Sequence, residues 1–218
     1  MRIRSTPVRA LLPALLLAAA ACVDVTEPQL GGEYVGSLDS PFSVEGAAIV
    51  EITSADLREI RSPGRIMVAR GTSERTVRIL LMNPPRNLNG GPITFRVRMA
   101  GGAVPPTAVV IAASGPTNNP RDFVGGYAVR WSQTAPAASA SASAGPDPLD
   151  QVAPPVAPVS FLRAVAPFFP GGLPLAPPEV TRLDGAAGNM NRVYDLGDLR
   201  GYLAQFPGEI PPETVWSR

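Results

Sequence analysis

PITFRVRMA, residues 92–100, decides the fold. Ile93, Phe95, Val97 and Met99 alternate with Thr94, Arg96 and Arg98. A period of two puts the apolar side chains on one face of an extended strand and the polar ones on the other. Such a strand has one dry and one wet face, as antiparallel sheets do. The theme repeats outward in EYVGSL (33–38), GAAIVEIT (46–53), GRIMVAR (64–70), TVRILLM (76–82), TAVVIAAS (107–114) and GYAVRWS (126–132). TVRILLM and TAVVIAAS are apolar on both phases and read as central strands. The breaks RSPG, NPPRNLNGG, GGAVPP and SGPTNNP are turn chemistry, with φ fixed at Pro and positive φ easy at Gly and Asn. Only SADLREIRS (54–62) hints at a helical turn, or equally a loop. Seven strands at this spacing predict an all-β fold, an antiparallel β-sandwich over residues 32–132.

The segment before the sandwich reads as an address. Arg2, Arg4 and Arg9 precede an apolar run from Ala10 to Ala21, too short to cross a bilayer of about 30 Å as a helix and suited to a secretory signal. It ends at Cys22, the only cysteine, so no disulfide framework exists. The small residues before Cys22 resemble the lipobox of bacterial lipoproteins, with Ala21 at the small position and Ala19 where that family prefers Leu. The resemblance implies cleavage after residue 21, lipidation of Cys22 and a membrane partner reached through the lipid; the alternative is an ordinary signal peptide beside a free thiol. Residues 1–21 are then the leader and 22–31 a tether. Val23 stands where an inner-membrane retention signal would have Asp, which points to the outer membrane.

Downstream the composition shifts. Residues 133–160 are Ala, Ser and Pro with almost no bulk, which predicts a disordered linker reaching up to roughly 85 Å. Residues 161–182 are too apolar for a free linker and read as an irregular strap packed back on the sandwich; the alternative is a docking peptide for another protein. Residues 183–218 form the tail, with a short C-terminal helix through Leu199, Tyr202, Leu203 and Phe206 at helical spacing. Phe161, Leu162, Phe168, Phe169, Leu199, Tyr202 and Leu203 are the candidate partner-docking residues.

GNMNRVYDLGDLRGYLAQF (188–206) admits two readings. Asp195 as N-cap with Asp198 three residues on is capping-box chemistry and needs no metal. Alternatively, with Asp198 at loop position 12 of an EF-hand frame, Asn189, Asn191, the Val193 carbonyl and Asp195 fall at ligand positions. This spacing and its exit helix resemble half of a dockerin module, which implies a weak calcium site as the one possible cofactor. The chain departs from that family at Ala187, where Asp stands, and at Arg192, where Gly turns the loop. EGAAIVEIT and GPITFRVRM likewise make the sandwich resemble a cohesin, of immunoglobulin-like type, and cohesins are the usual partners of dockerins. The pair of resemblances implies assembly at the cell envelope.

The residue inventory bounds the chemistry. The 218 residues contain no His and no Lys, so all 19 basic residues are Arg. Without the leader they number 16 against 18 acidic residues, a net charge of −2 with no basic run, which argues against nucleic acid. Without His or a spare Cys no Ser-His-Asp or Cys-His arrangement forms, and zinc lacks its ligands. Glu33, Glu45, Glu51, Glu59 and Glu74 read as solvated surface acids, and the glycines of NLNGG and VGG as turn glycines. The expectation is a non-enzymatic, lipid-anchored binding protein that contacts an envelope protein or glycan. Its rival is a structural envelope lipoprotein whose sandwich and tail simply pack together.

Overall fold

A computed structural model describes residues 32–42, 44–84, 92–101, 103–133, 159–186, 189–209 and 215–217. The leader, Cys22, the tether, the NLNGG glycines, Ala187 and residues 134–158 of the linker lie outside the described residues.

The strands are β1 (Glu33–Asp39), β2 (Ala47–Thr53), β3 (Leu57–Arg61), β4 (Ile66–Gly71), β5 (Thr76–Met82), β6 (Thr94–Met99), β7 (Thr107–Ser114), β8 (Ala128–Gln133) and β9 (Val215–Ser217). They form two antiparallel sheets, β8-β1-β6-β3-β9 and β4-β5-β2-β7. Between the sheets lie Ile52, Leu57, Ile60, Ile79, Leu81, Phe95, Val97 and Met99, all essentially without solvent contact. On β6 the buried residues are Phe95, Val97 and Met99, while Arg96 and Arg98 are exposed. The Arg98 guanidinium donates to Glu59 across β3, and Arg96 to Glu33 across β1. Gly36 of β1 leaves room for the T-shaped Phe95–Trp131 pair; a Cβ there would stand 2.6 Å from the Phe95 ring.

Three expectations need correction. LREIR within SADLREIRS is the strand β3, not a helical turn or loop. Leu57 pairs with Met99 but Glu59 with Arg98, so Arg58 is an extra residue. That bulge turns Leu57 and Ile60 to the same dry face at a spacing of three, which imitates a helix in the sequence. TAVVIAAS is an edge strand, not a central one: β7 ends its sheet, and Val109 and Ile111 are exposed. Finally, the region after the linker is not an irregular strap followed by one helix.

Among its described residues that region holds three helices, α1 (Phe161–Val165), α2 (Pro177–Ala186) and α3 (Leu196–Gln205), with 3-10 turns at Ala166–Phe168 and Pro207–Glu209. Ser160, assigned above to the linker, caps α1 by accepting from Arg163 N. Pro177 and Pro178 occupy the first turn of α2, where a missing N–H costs nothing. The Glu179 carboxylate accepts from Ala176 N and from Arg163, which holds its pKa low, the Arg163 hydrogen bond being the larger cause.

The helices form a third layer on the outer face of the β4-β5-β2-β7 sheet. Ala47, Ile49, Leu80 and Met82 meet Phe161, Val165, Phe169, Leu183, Leu199, Tyr202 and Leu203 there. This layer explains why β5 is apolar on both phases: Val77, Ile79 and Leu81 face the other sheet, Leu80 and Met82 the helices. Full burial of each such side chain stabilises by about 1.5–3 kcal/mol. The chain then returns to the first sheet, where β9 pairs with β3.

The pairing registers give the sandwich two unlike ends. Asp39 pairs with Ala128, Ser37 with Thr94, Ala47 with Ser114 and Ile66 with Met82. One end, the tip, therefore collects the connections 40–46, 62–65, 83–93 and 115–127. The opposite end, the base, has 54–56, 72–75 and 100–106 and neither of the two longest connections, and β1 begins there at Glu33.

Candidate functional site

The tip is organised around Glu45, which is 4% exposed and not the solvated acid its sequence setting suggests. Its Oε1 accepts from Ser40 Oγ at 2.7 Å and Tyr127 Oη at 2.6 Å, and its Oε2 from Arg121 Nε at 3.1 Å. One carboxylate so binds the β1–β2 connection to the β7–β8 connection. Burial raises the Tyr127 hydroxyl above its usual range, and the bond to Glu45 adds to the rise, so Tyr127 remains a donor. The Arg121 guanidinium lies 4.0 Å over the Phe42 ring, and Ser40 Oγ accepts from Phe42 N. Phe42 is held in this way while 46% exposed, and Phe123 stands 74% exposed on the same connection as Arg121. Loops positioned by a rigid scaffold are where binding residues concentrate.

Beside Glu45 opens a cavity of about 370 Å³, whose lining includes Ser37, Asp39, Ser40, Phe42, Pro92 and Arg130. Arg130 Nε donates to Asp39 at 2.8 Å. Sequence reasoning did not single out any of these residues as part of a site. The available signal was the pair of long Pro/Gly/Asn-rich connections at one end, which needs the strand register to become visible.

The Asn/Asp loop also reaches the tip, on the side of the helical layer. Asp195 is the N-cap of α3 and forms a capping box with Asp198. Asp195 Oδ1 accepts from Gly197 N, and its Oδ2 from the side-chain amides of Asn189 and Asn191. Asp198, fully buried, accepts from Asn189 N and Asp195 N. Burial pushes its carboxyl up to about 6, against those two bonds and with a further rise from the Asp195 and Asp184 charges. Burial also drives the Tyr194 hydroxyl far up.

Asp184 was missed from sequence. It sits at the end of α2, three residues before Ala187, and its carboxylate accepts from Asn191 N and Arg192 N. Those bonds hold Met190 and Arg192 at φ of 58° and 67°, the left-handed turn that a glycine usually makes. Val193, whose carbonyl was a candidate ligand, gives its N–H to Asn191 Oδ1. The Asn oxygens and the carboxylates thus face N–H donors, whereas calcium needs six to eight converging oxygens at 2.3–2.6 Å. In this arrangement the residues do not fit a calcium cage. Among the described residues no group of three or more His, Cys, Asp or Glu is placed to hold a metal.

The docking candidates are corrected by the third layer. Phe161, Phe169, Leu199, Tyr202 and Leu203 are buried against the protein's own sheet, and Phe168 packs at their margin. Only Leu162 of that set is exposed. A bolt of polar contacts fastens the layer at the tip: Arg200 donates to Pro116 O at 2.6 Å and Asn118 Oδ1 at 2.7 Å, and the Asn189 amide to Asn118 O. Gly197 permits this approach, since a Cβ there would lie 1.7 Å from Asn118 O.

No family model matches the chain, and neither does any curated protein or solved structure. Among the described residues no helix is long and apolar enough to cross a membrane.

Proposed function

We propose that this chain is a lipid-anchored, non-enzymatic binding protein of the bacterial cell envelope, most naturally of the outer membrane, that recognises its partner with the tip. The observation that carries the reading is the placement of the long connections, the exposed Phe42 and Phe123 and the cavity at the end opposite Glu33. A tether of residues 22–31 joins the base and spans at most about 40 Å, so a membrane at Cys22 leaves the tip facing outward. We read the two sheets as a cohesin-like or immunoglobulin-like sandwich in type, with its binding loops gathered at one end. The dockerin-like tail in this account is docked on its own sandwich and serves as architecture.

A second reading, a purely structural envelope lipoprotein, is favoured by that same internal docking of the helical layer. Retention of the purified mature chain on isolated envelope fractions separates the two. The binding reading expects saturable retention that falls at least tenfold in Phe42→Ser and Phe123→Ser with unchanged thermal midpoints. Retention equal in all three proteins, or absent, favours the structural reading. Cys22→Ser tests the anchor separately: fatty-acid labelling should vanish and the protein should leave the membrane fraction.

A further inference from the structure

We propose that the tip cavity is a subsite for a neutral sugar unit of an envelope glycan; this rests on the tip being the recognition surface and names its ligand. The cavity, about 370 Å³, falls at the small end of the roughly 300–1,000 Å³ typical of ligand pockets, the size for a single ring and not for a peptide stretch.

Its charges cancel in pairs. Asp39 is bound to Arg130 and Glu45 to Arg121. Neither carboxylate of the lining is left unpaired, so the lining itself does not select for a cation such as a polyamine. What remains is hydrogen-bonding capacity of a particular shape. Ser37 and Asp39 lie two apart on β1, on one face, and Arg130 stands opposite Ser37 in the β8 register. A carboxylate and a planar guanidinium side by side offer acceptors and donors in the fork geometry that adjacent hydroxyl groups match. The lining also includes Pro92 and the half-exposed Phe42 ring, apolar surface suited to the C–H face of a pyranose. Ligands with hydroxyls on their edge and carbon on their face are sugars.

The cradle is also fixed in advance. Ser40 gives its proton to Glu45 and accepts from Phe42 N, so Ser40 and Phe42 are held in place without ligand, which lowers the cost of binding.

The test uses the purified mature chain and isolated envelope fractions treated either with periodate, which cleaves vicinal diols, or with proteinase K. Arg130→Ala and Asp39→Asn serve as cavity variants, and Leu162→Ser, on exposed α1 surface, as the control. The expected result is at least tenfold loss of retention after periodate, none after proteinase, and a matching loss in both cavity variants but not in Leu162→Ser. Retention destroyed by proteinase and indifferent to periodate overturns the sugar assignment and leaves tip recognition standing. Periodate-sensitive retention that both cavity variants keep overturns the cavity as the site. Retention absent under every condition overturns tip recognition, and this proposal with it. Arg130 and Asp39 are exposed enough that both variants should fold, which circular dichroism checks.

Discussion

Gly197→Ala sets local preference against tertiary contact, and the two predict opposite signs. In a helix interior Ala is favoured over Gly by about 1 kcal/mol, so propensity alone predicts a more stable protein. The structure predicts the reverse. The new Cβ would lie 1.7 Å from Asn118 O and 2.6 Å from Asn118 C, both backbone atoms that cannot rotate aside. The 115–120 segment must retreat by more than about 1 Å to reach ordinary contact distance. The bonds from Arg200 to Pro116 O and Asn118 Oδ1 and from Asn189 to Asn118 O are stretched with it. Two of these have a charged donor, worth about 1.5–3 kcal/mol each, and the third about 1 kcal/mol. Losing roughly half of that total and regaining the propensity term leaves a net destabilisation of about 1–3 kcal/mol. Gly185→Ala is the internal control, because a Cβ there meets nothing within 4 Å; it should stabilise by about 0.5–1 kcal/mol. Urea unfolding of the three proteins reads both values. A Gly197→Ala protein that equals or exceeds the wild type, in parallel with Gly185→Ala, would refute the claim that the helical layer is bolted to the β7–β8 connection.

Two further perturbations follow from the buried carboxylates. Glu45→Ala strands the Tyr127 hydroxyl and the Arg121 guanidinium and should cost about 3–5 kcal/mol, with Glu45→Gln milder; a loss below 1 kcal/mol in chemical denaturation would contradict the burial of that ion pair. Asp198 has a folded-state pKa of about 6, raised above the ordinary 3.8, so its stabilising effect is complete below pH 4 and fades as pH rises through 6. The wild-type minus Asp198→Asn stability difference should therefore fall between pH 4 and 7, by on the order of 3 kcal/mol at most. A difference that grows with pH over this range would show the carboxylate to be held low instead.

The two-sheet architecture was legible wherever one face of a strand is wet, because water enforces the alternation seen in Ile93–Met99. Legibility failed where a second constraint overrode the period. The bulge at Arg58 gave β3 the spacing of a helix. The third layer made β5 apolar on both faces, and the same composition in β7 marks an edge that the helices cover only at Ala112, leaving Val109 and Ile111 exposed. The cap at Asp195 and Asp198 could be read from spacing because capping is local in the chain. Asp184 could not, since its partners Asn191 and Arg192 lie across a turn whose path the sequence does not state. Glu45 was hidden for the same reason: its partners Arg121 and Tyr127 are about eighty residues away.

Hydrogen exchange of the mature chain, with and without isolated envelope fraction, measures directly where the molecule touches its partner. The account predicts added protection confined to the tip, at amides of 37–42, 44–46, 93, 115–127 and 130, with the helical layer and the 100–106 connection exchanging as before. Protection appearing on α1 to α3 or at the base, with the tip unchanged, would contradict it.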